Sequence, residues 1–132
     1  MILQVVYSII LGFLIGLERE SSGKDIGIRT CALISLGSTL FCVIGAILTD
    51  GDPTRIVGQV ITGVGFIGAG LIFRSDNNVH GLTTATTIWC TAAIGALVGM
   101  GLYHLAFVGM ISIIIINRLF KHLKVDKNDQ RI

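Results

Sequence analysis

Charge is scarce in this chain. Of its 132 residues only 14% are Asp, Glu, Lys or Arg, where a soluble domain carries about a quarter. That shortage excludes an ordinary water-soluble fold. Proline occurs once, so no proline-rich linker divides the chain, and one compact unit is expected. The net charge of +2 is too small, and its basic residues too scattered, for a nucleic-acid surface. Cysteine occurs three times. Cys31, Cys42 and Cys90 all fall in apolar stretches, so free buried thiols are expected rather than a disulfide framework. Met1–Leu17 has no basic n-region and no small-residue cleavage site, so it reads as a retained helix and not as a signal peptide. No nucleophile, base and orienting group cluster along the chain, so no enzymatic role is expected.

What is abundant is apolar surface: 52% of the residues are hydrophobic. These fall into five runs, each near the length that crosses a bilayer, about 20 residues. The runs are 2–17, 30–48, 56–73, 82–100 and 103–120, and a short basic tail follows at 121–132. The fold class read from this pattern is all-α: a polytopic membrane protein built as a bundle of five transmembrane helices, with neighbours antiparallel because the connectors are short. Five spans place nine of the ten basic residues on one side, among them Arg19, Arg29, Arg74 and Arg118, and leave Arg55 alone on the other. The positive-inside rule then puts the N-terminus outside and the C-terminus in the cytoplasm.

Glycine, at 17 residues, is about twice as frequent as usual. In membrane helices it lets backbones approach closely. Gly12, Gly16, Gly63, Gly70, Gly95 and Gly99 are the candidates for helix packing, and Gly95 is expected to face the bilayer and a partner helix. Gly63-x-Gly65-x-x-Gly68 matches a dinucleotide fingerprint in letters only, since no strand precedes it. Close packing, with a possible helix break over Gly63–Gly70, is the expectation there.

The polar residues are few enough to weigh singly. Leu17-Glu18-Arg19-Glu20 ends the first span, and Arg19 follows the Gly12/Gly16 face at helical spacing. The cluster is either an interfacial anchor pairing with Lys24 or Arg29, or a cation site at the membrane edge. Asp52 precedes Pro53 and is expected to cap the third span, with proline at its first helical position. Together with Glu18 and Glu20 it is also a candidate ligand for Mg²⁺, which favours one or two carboxylates and retained waters. Gln59 needs a partner one turn inside the membrane, from Ser38, Thr39 or backbone, or else lines a cavity. Thr83, Thr87 and Cys90 mark a polar stripe on the fourth span. Interhelical hydroxyl bonds of this kind contribute about 0.6–2 kcal/mol each and can serve as glue alone. The fifth span, with its run Ile113–Ile116, is expected at the lipid periphery, and Asn117 at the inner surface. His80 is expected at the inner interface beside Arg74 and Asp76.

Six stretches together resemble the MgtC/SapB family of bacterial membrane proteins. They are Ile15–Glu20, Gly27–Thr30, Leu36–Ser38, Asp52–Val60, Gly63–Gly70 and Gly81–Trp89. The resemblance implies a protein of the bacterial cytoplasmic membrane, linked to magnesium homeostasis and, in pathogens, to survival inside host cells. It implies partners among other membrane proteins, the ATP synthase included, and functional roles for Glu18, Arg19, Glu20, Arg29, Asp52, Arg55, Gln59 and Thr83. Longer members add a C-terminal soluble domain that this chain is expected to lack. Two functions remain in view. One is regulation of other membrane proteins through helix faces, supported by the glycine-rich surface and the absence of a strong ion pathway. The other is a Mg²⁺ or other cation transporter. A homo-oligomer is expected in either case.

Overall fold

The computed structural model describes residues 1–48, 50, 53–75 and 78–122. They form five helices and one small hairpin: α1 (Ile2–Ser21), α2 (Ile28–Leu48), α3 (Thr54–Ala69), β1 (Phe73–Ser75), β2 (Asn78–His80), α4 (Leu82–Gly99) and α5 (Tyr103–His122). Helices α1, α2, α4 and α5 are each long and apolar enough to cross a membrane. The chain is therefore an all-α membrane bundle.

Glycines set its closest contacts. A Cβ on Gly12 would lie 2.7 Å from the Cys31 carbonyl oxygen, and one on Gly16 2.8 Å from that of Gly27. The backbones of α1 and α2 touch there because no side chain intervenes. Gly95 and Gly99 do the same between α4 and α2, against Ser35 and against the Thr39 carbonyl oxygen. Gly95 is therefore interior and not bilayer-facing as its sequence context suggests. The Thr39 hydroxyl reinforces this seam, 2.7 Å from the Gly95 carbonyl oxygen. Leu11, Ile15, Ile88, Ala92 and Val98 fill the middle of the bundle. Helix α5 packs on α4 and α1, with Tyr7 and Tyr103 meeting edge to face at 5.6 Å between ring centroids. Most of its remaining surface is exposed, as the isoleucine run implies.

Two turns fix the connectors. After α1, Gly23 has φ +70°, and the Lys24 amide donates to the Arg19 carbonyl while that of Gly23 donates to Glu20. After α4, Gly101 at φ +77° repeats this pattern, with Leu102 donating to Leu97 and Gly101 to Val98. Both are Schellman closures, for which glycine is the residue best able to adopt the left-handed backbone.

The third span departs most from expectation. Helix α3 begins at Thr54 with Pro53 at its N-cap position, one residue later than the sequence suggests. The expected Asp52 cap lies outside the described residues. The helix runs unbroken through Gly63, Gly65 and Gly68 and stops at Ala69, not Phe73. A short antiparallel hairpin follows, pairing Phe73 with His80, Arg74 with Val79 and Ser75 with Asn78. The ring of His80 stacks on Phe73 at 5.2 Å. Alternating run length was too short here to signal strands, and the apolar Leu71-Ile72-Phe73 reads as helix when only hydropathy is counted.

Candidate functional site

The end of α1 carries its charges into the bundle. Glu18 and Arg19 are 2% and 3% exposed, with Asn117 of α5 against Glu18 and Thr84 of α4 against Arg19. A buried carboxylate needs donors, and Glu18 has two. The Ser22 hydroxyl donates to Oε1 at 2.9 Å, and the Asn117 amide Nδ2 to Oε2 at 3.2 Å. Asn117 has a second amide proton, and the Thr87 hydroxyl oxygen accepts it at 3.4 Å. The single Thr87 proton goes to the Thr83 carbonyl at 2.8 Å. Arg19 donates from Nη2 to the Thr84 hydroxyl at 3.1 Å. Three helices, α1, α4 and α5, are thus joined by side chains at one end of the bundle.

Asn117 is half-buried. It reaches inward from an otherwise apolar helix and completes the site. The sequence signal was present, a lone carboxamide ending the isoleucine run, but its direction was not. Ser22 and Gln4 are likewise functional groups that the sequence reading passed over. Gln4 donates from Nε2 to the Gly99 carbonyl at 2.9 Å and closes the opposite end of the bundle, tying the start of α1 to the end of α4. It lies four residues before Ser8 and eight before Gly12, which places it on the buried face.

Of the three proposed carboxylate ligands, Glu18 and Glu20 do not converge. Glu20 points away from Glu18, and its Oε2 accepts the Ile28 amide at 3.3 Å. It caps α2, where a negative charge favours the positive helix end. The third, Asp52, lies outside the described residues. Among the described residues no three His, Cys, Asp or Glu side chains group as a metal site.

The hydroxyl stripe of α4 is turned inward but closed. Thr91 donates to the Thr87 carbonyl at 2.8 Å, one turn back along its own helix. Cys90 is half-buried, Thr83 and Trp89 are exposed, and Arg29 and Arg74 lie exposed on either side of the same end. Cys31 and Cys42 are buried free thiols.

Helix α3 is the exception. Arg55, Gln59, Thr62 and Phe66 all face outward. The partners expected for Gln59 are not engaged; its carboxamide borders a groove between α2 and α3 together with Ser38. Gly63, expected at a helix contact, has open space beside it, and Gly70 meets only carbonyls of its own last turn.

The MgtC family model matches residues 5–125. The chain belongs to the MgtC family. It is 44% identical over 115 residues to Protein MgtC of Brucella abortus (strain 2308), covering 86% of this chain and 48% of that protein. It is 40% identical over 120 residues to Protein MgtC of Salmonella typhimurium (strain 14028s / SGSC 2262), covering 91% and 52%. It is 41% identical over 131 residues to the Escherichia coli (strain K12) protein named "Putative magnesium transporter YhiD", covering 92% and 61%. The chain thus spans about half to three-fifths of the length of these relatives. No solved structure matches it. Within the MgtC-family stretch, the charged end of α1 and the threonine-rich start of α4 are the parts that the fold brings together.

Proposed function

We propose that this MgtC-family protein is a non-enzymatic component of the bacterial cytoplasmic membrane that serves magnesium homeostasis by binding and regulating other membrane proteins. The ATP synthase is one such partner class. Its N-terminus faces outward and its C-terminus the cytoplasm, in keeping with the basic residues at the Glu18 end. One observation carries the regulatory reading: the buried carboxylate and the α4 hydroxyls inside the bundle are bonded to neighbouring side chains or to their own helix. Glu18 is held by Ser22 and Asn117, and Thr91 bonds back to its own helix. Leu11, Ile15, Ile88 and Ala92 fill the centre beyond them. An ion path needs polar groups that face a wetted space; these face each other. The outer helix surfaces are what is left for partners.

The second reading is transport of Mg²⁺ or another cation. It is favoured by the name of the Escherichia coli relative and by a carboxylate, Glu18, buried at the edge of a span, where such groups often serve ion pathways.

One experiment separates them. The purified full chain is reconstituted in liposomes loaded with a magnesium-sensitive dye, and the same gene is returned to a strain that lacks its MgtC-family protein and grows poorly in low magnesium. The regulatory reading expects dye signals equal to empty vesicles, and growth restored by both the native chain and Glu18→Gln. Saturable Mg²⁺ entry that Glu18→Gln abolishes would overturn it in favour of transport.

A further inference from the structure

In a bilayer, polar side chains normally turn toward protein, because hydrocarbon offers them no hydrogen bonds. Helix α3 does the reverse. Its inner face is Val57, Val60, Val64 and Gly68, the last against Ala85 of α4. Its outer face carries Arg55, Gln59, Thr62 and Phe66 at steps of four, three and four, all exposed. The Thr62 hydroxyl is satisfied by the Gly58 carbonyl at 3.0 Å. Among the described residues no hydrogen bond reaches the Gln59 carboxamide. Phe66 is 83% exposed and projects beside a groove of about 760 Å³ between α2 and α3, whose lining includes Leu33, Gly37, Gln59, Gly63 and Ile67.

We infer that a second copy of this chain covers this face, with a two-fold axis along the membrane normal between the two α3 helices. Three features choose a second copy over another occupant. First, such an axis keeps equivalent residues at equal depth, and a carboxamide is its own complement, donating through N–H and accepting through its oxygen. Gln59 meets its equivalent and both are satisfied. Second, the face holds a projection and a recess side by side. Phe66 of each copy enters the groove of the other, where Gly37 and Gly63 leave room; this is the reciprocal fit of an isologous contact. Third, α3 has 16 residues and is about 24 Å long, short of the roughly 30 Å hydrocarbon core. Oligomerisation is one way that a short span avoids exposure to mismatched lipid. Asp50 and Arg55 sit exposed at the same end of the molecule with opposite charges, so two copies can pair them across the axis. The inference stands apart from the choice between regulation and transport.

The test measures association in vesicles of phosphatidylethanolamine and phosphatidylglycerol. Full-length copies labelled with donor or acceptor dye are diluted with lipid, and energy transfer is followed. The native chain is expected to form dimers. Gln59→Leu and Phe66→Ala are expected to weaken association at least tenfold, while Ile115→Ala on exposed α5 leaves it unchanged. Neither α3 side chain is buried within one copy, so unchanged thermal unfolding of the variants confirms that the loss is one of association. Transfer no greater than random proximity at every dilution overturns the proposal. So does association that survives both α3 substitutions. Native mass spectrometry showing a bound lipid on monomers, lost in Phe66→Ala, would assign the groove to an acyl chain and overturn it as well. None of these readouts involves magnesium flux or growth, so failure here leaves the functional reading to its own test.

Discussion

Helices α4 and α3 carry similar polar and small residues but turn them in opposite directions. In α4, Thr87, Thr91, Gly95 and Gly99 face the bundle, where α1 and α5 supply the carboxamides of Gln4 and Asn117 and α2 supplies the Thr39 hydroxyl. In α3, Gln59, Thr62, Gly63 and Phe66 face away from it. The difference shows that a polar stripe in a membrane helix identifies a contact surface without saying whether the contact is inside one copy or outside it. What decides is the rest of the packing: α4 is enclosed by the four other helices, while α3 leans on α2 and α4 by one edge.

The comparison breaks most sharply at the glycines. Gly95→Leu would drive a side chain into the Ser35 backbone, and overpacking of this kind is expected to cost about 3 kcal/mol or more. Thermal unfolding in micelles should show a large loss of stability or no folded protein. Gly63→Leu, with open space around it, should not lower the stability of a single copy. Equal damage at both positions would mean that α3 is packed as α4 is.

The next effect is at the carboxamides. Asn117→Leu leaves the buried Glu18 carboxylate short of a donor and is expected to cost about 1–3 kcal/mol, read as a lower midpoint of unfolding. Gln59→Leu, in micelles dilute enough to separate copies, should cost nothing, because its amide has no partner to lose among the described residues. Smaller again is Gly63→Ala. A helical glycine destabilises by roughly 0.5–1 kcal/mol relative to alanine, so the single copy should be stabilised by that order. Least is Thr91→Val, expected to cost under about 1 kcal/mol, since its hydroxyl is bonded within its own helix and such bonds are modest in membranes.

Much of this architecture could be read from the sequence. The five helices follow from run length, four of them are long and apolar enough to cross a membrane, and the boundaries of α1, α2, α4 and α5 fall within four residues of expectation. The role of Gly12 and Gly16 follows from their spacing, and Arg19 was placed on their face for the same reason. What could not be read was direction around the helix axis relative to neighbours. Asn117 looked peripheral because its helix is, yet it sits on the one face of α5 that meets Glu18. Glu18 and Glu20 looked like a pair because they are two apart, and two residues on a helix point about 200° apart. One enters the bundle and the other caps α2. The hairpin was lost because three-residue strands have too few alternations to register as a pattern.

The most direct test of the closed, dry bundle is thiol labelling at its centre. Ala92 is buried beside Leu11, Ile15 and Ile88. In membrane vesicles, Ala92→Cys treated from both sides with a charged, water-soluble thiol reagent should label no more than the native chain with its three cysteines. Rapid labelling at position 92 that Mg²⁺ suppresses would reveal a hydrated cation path through the centre and contradict the account.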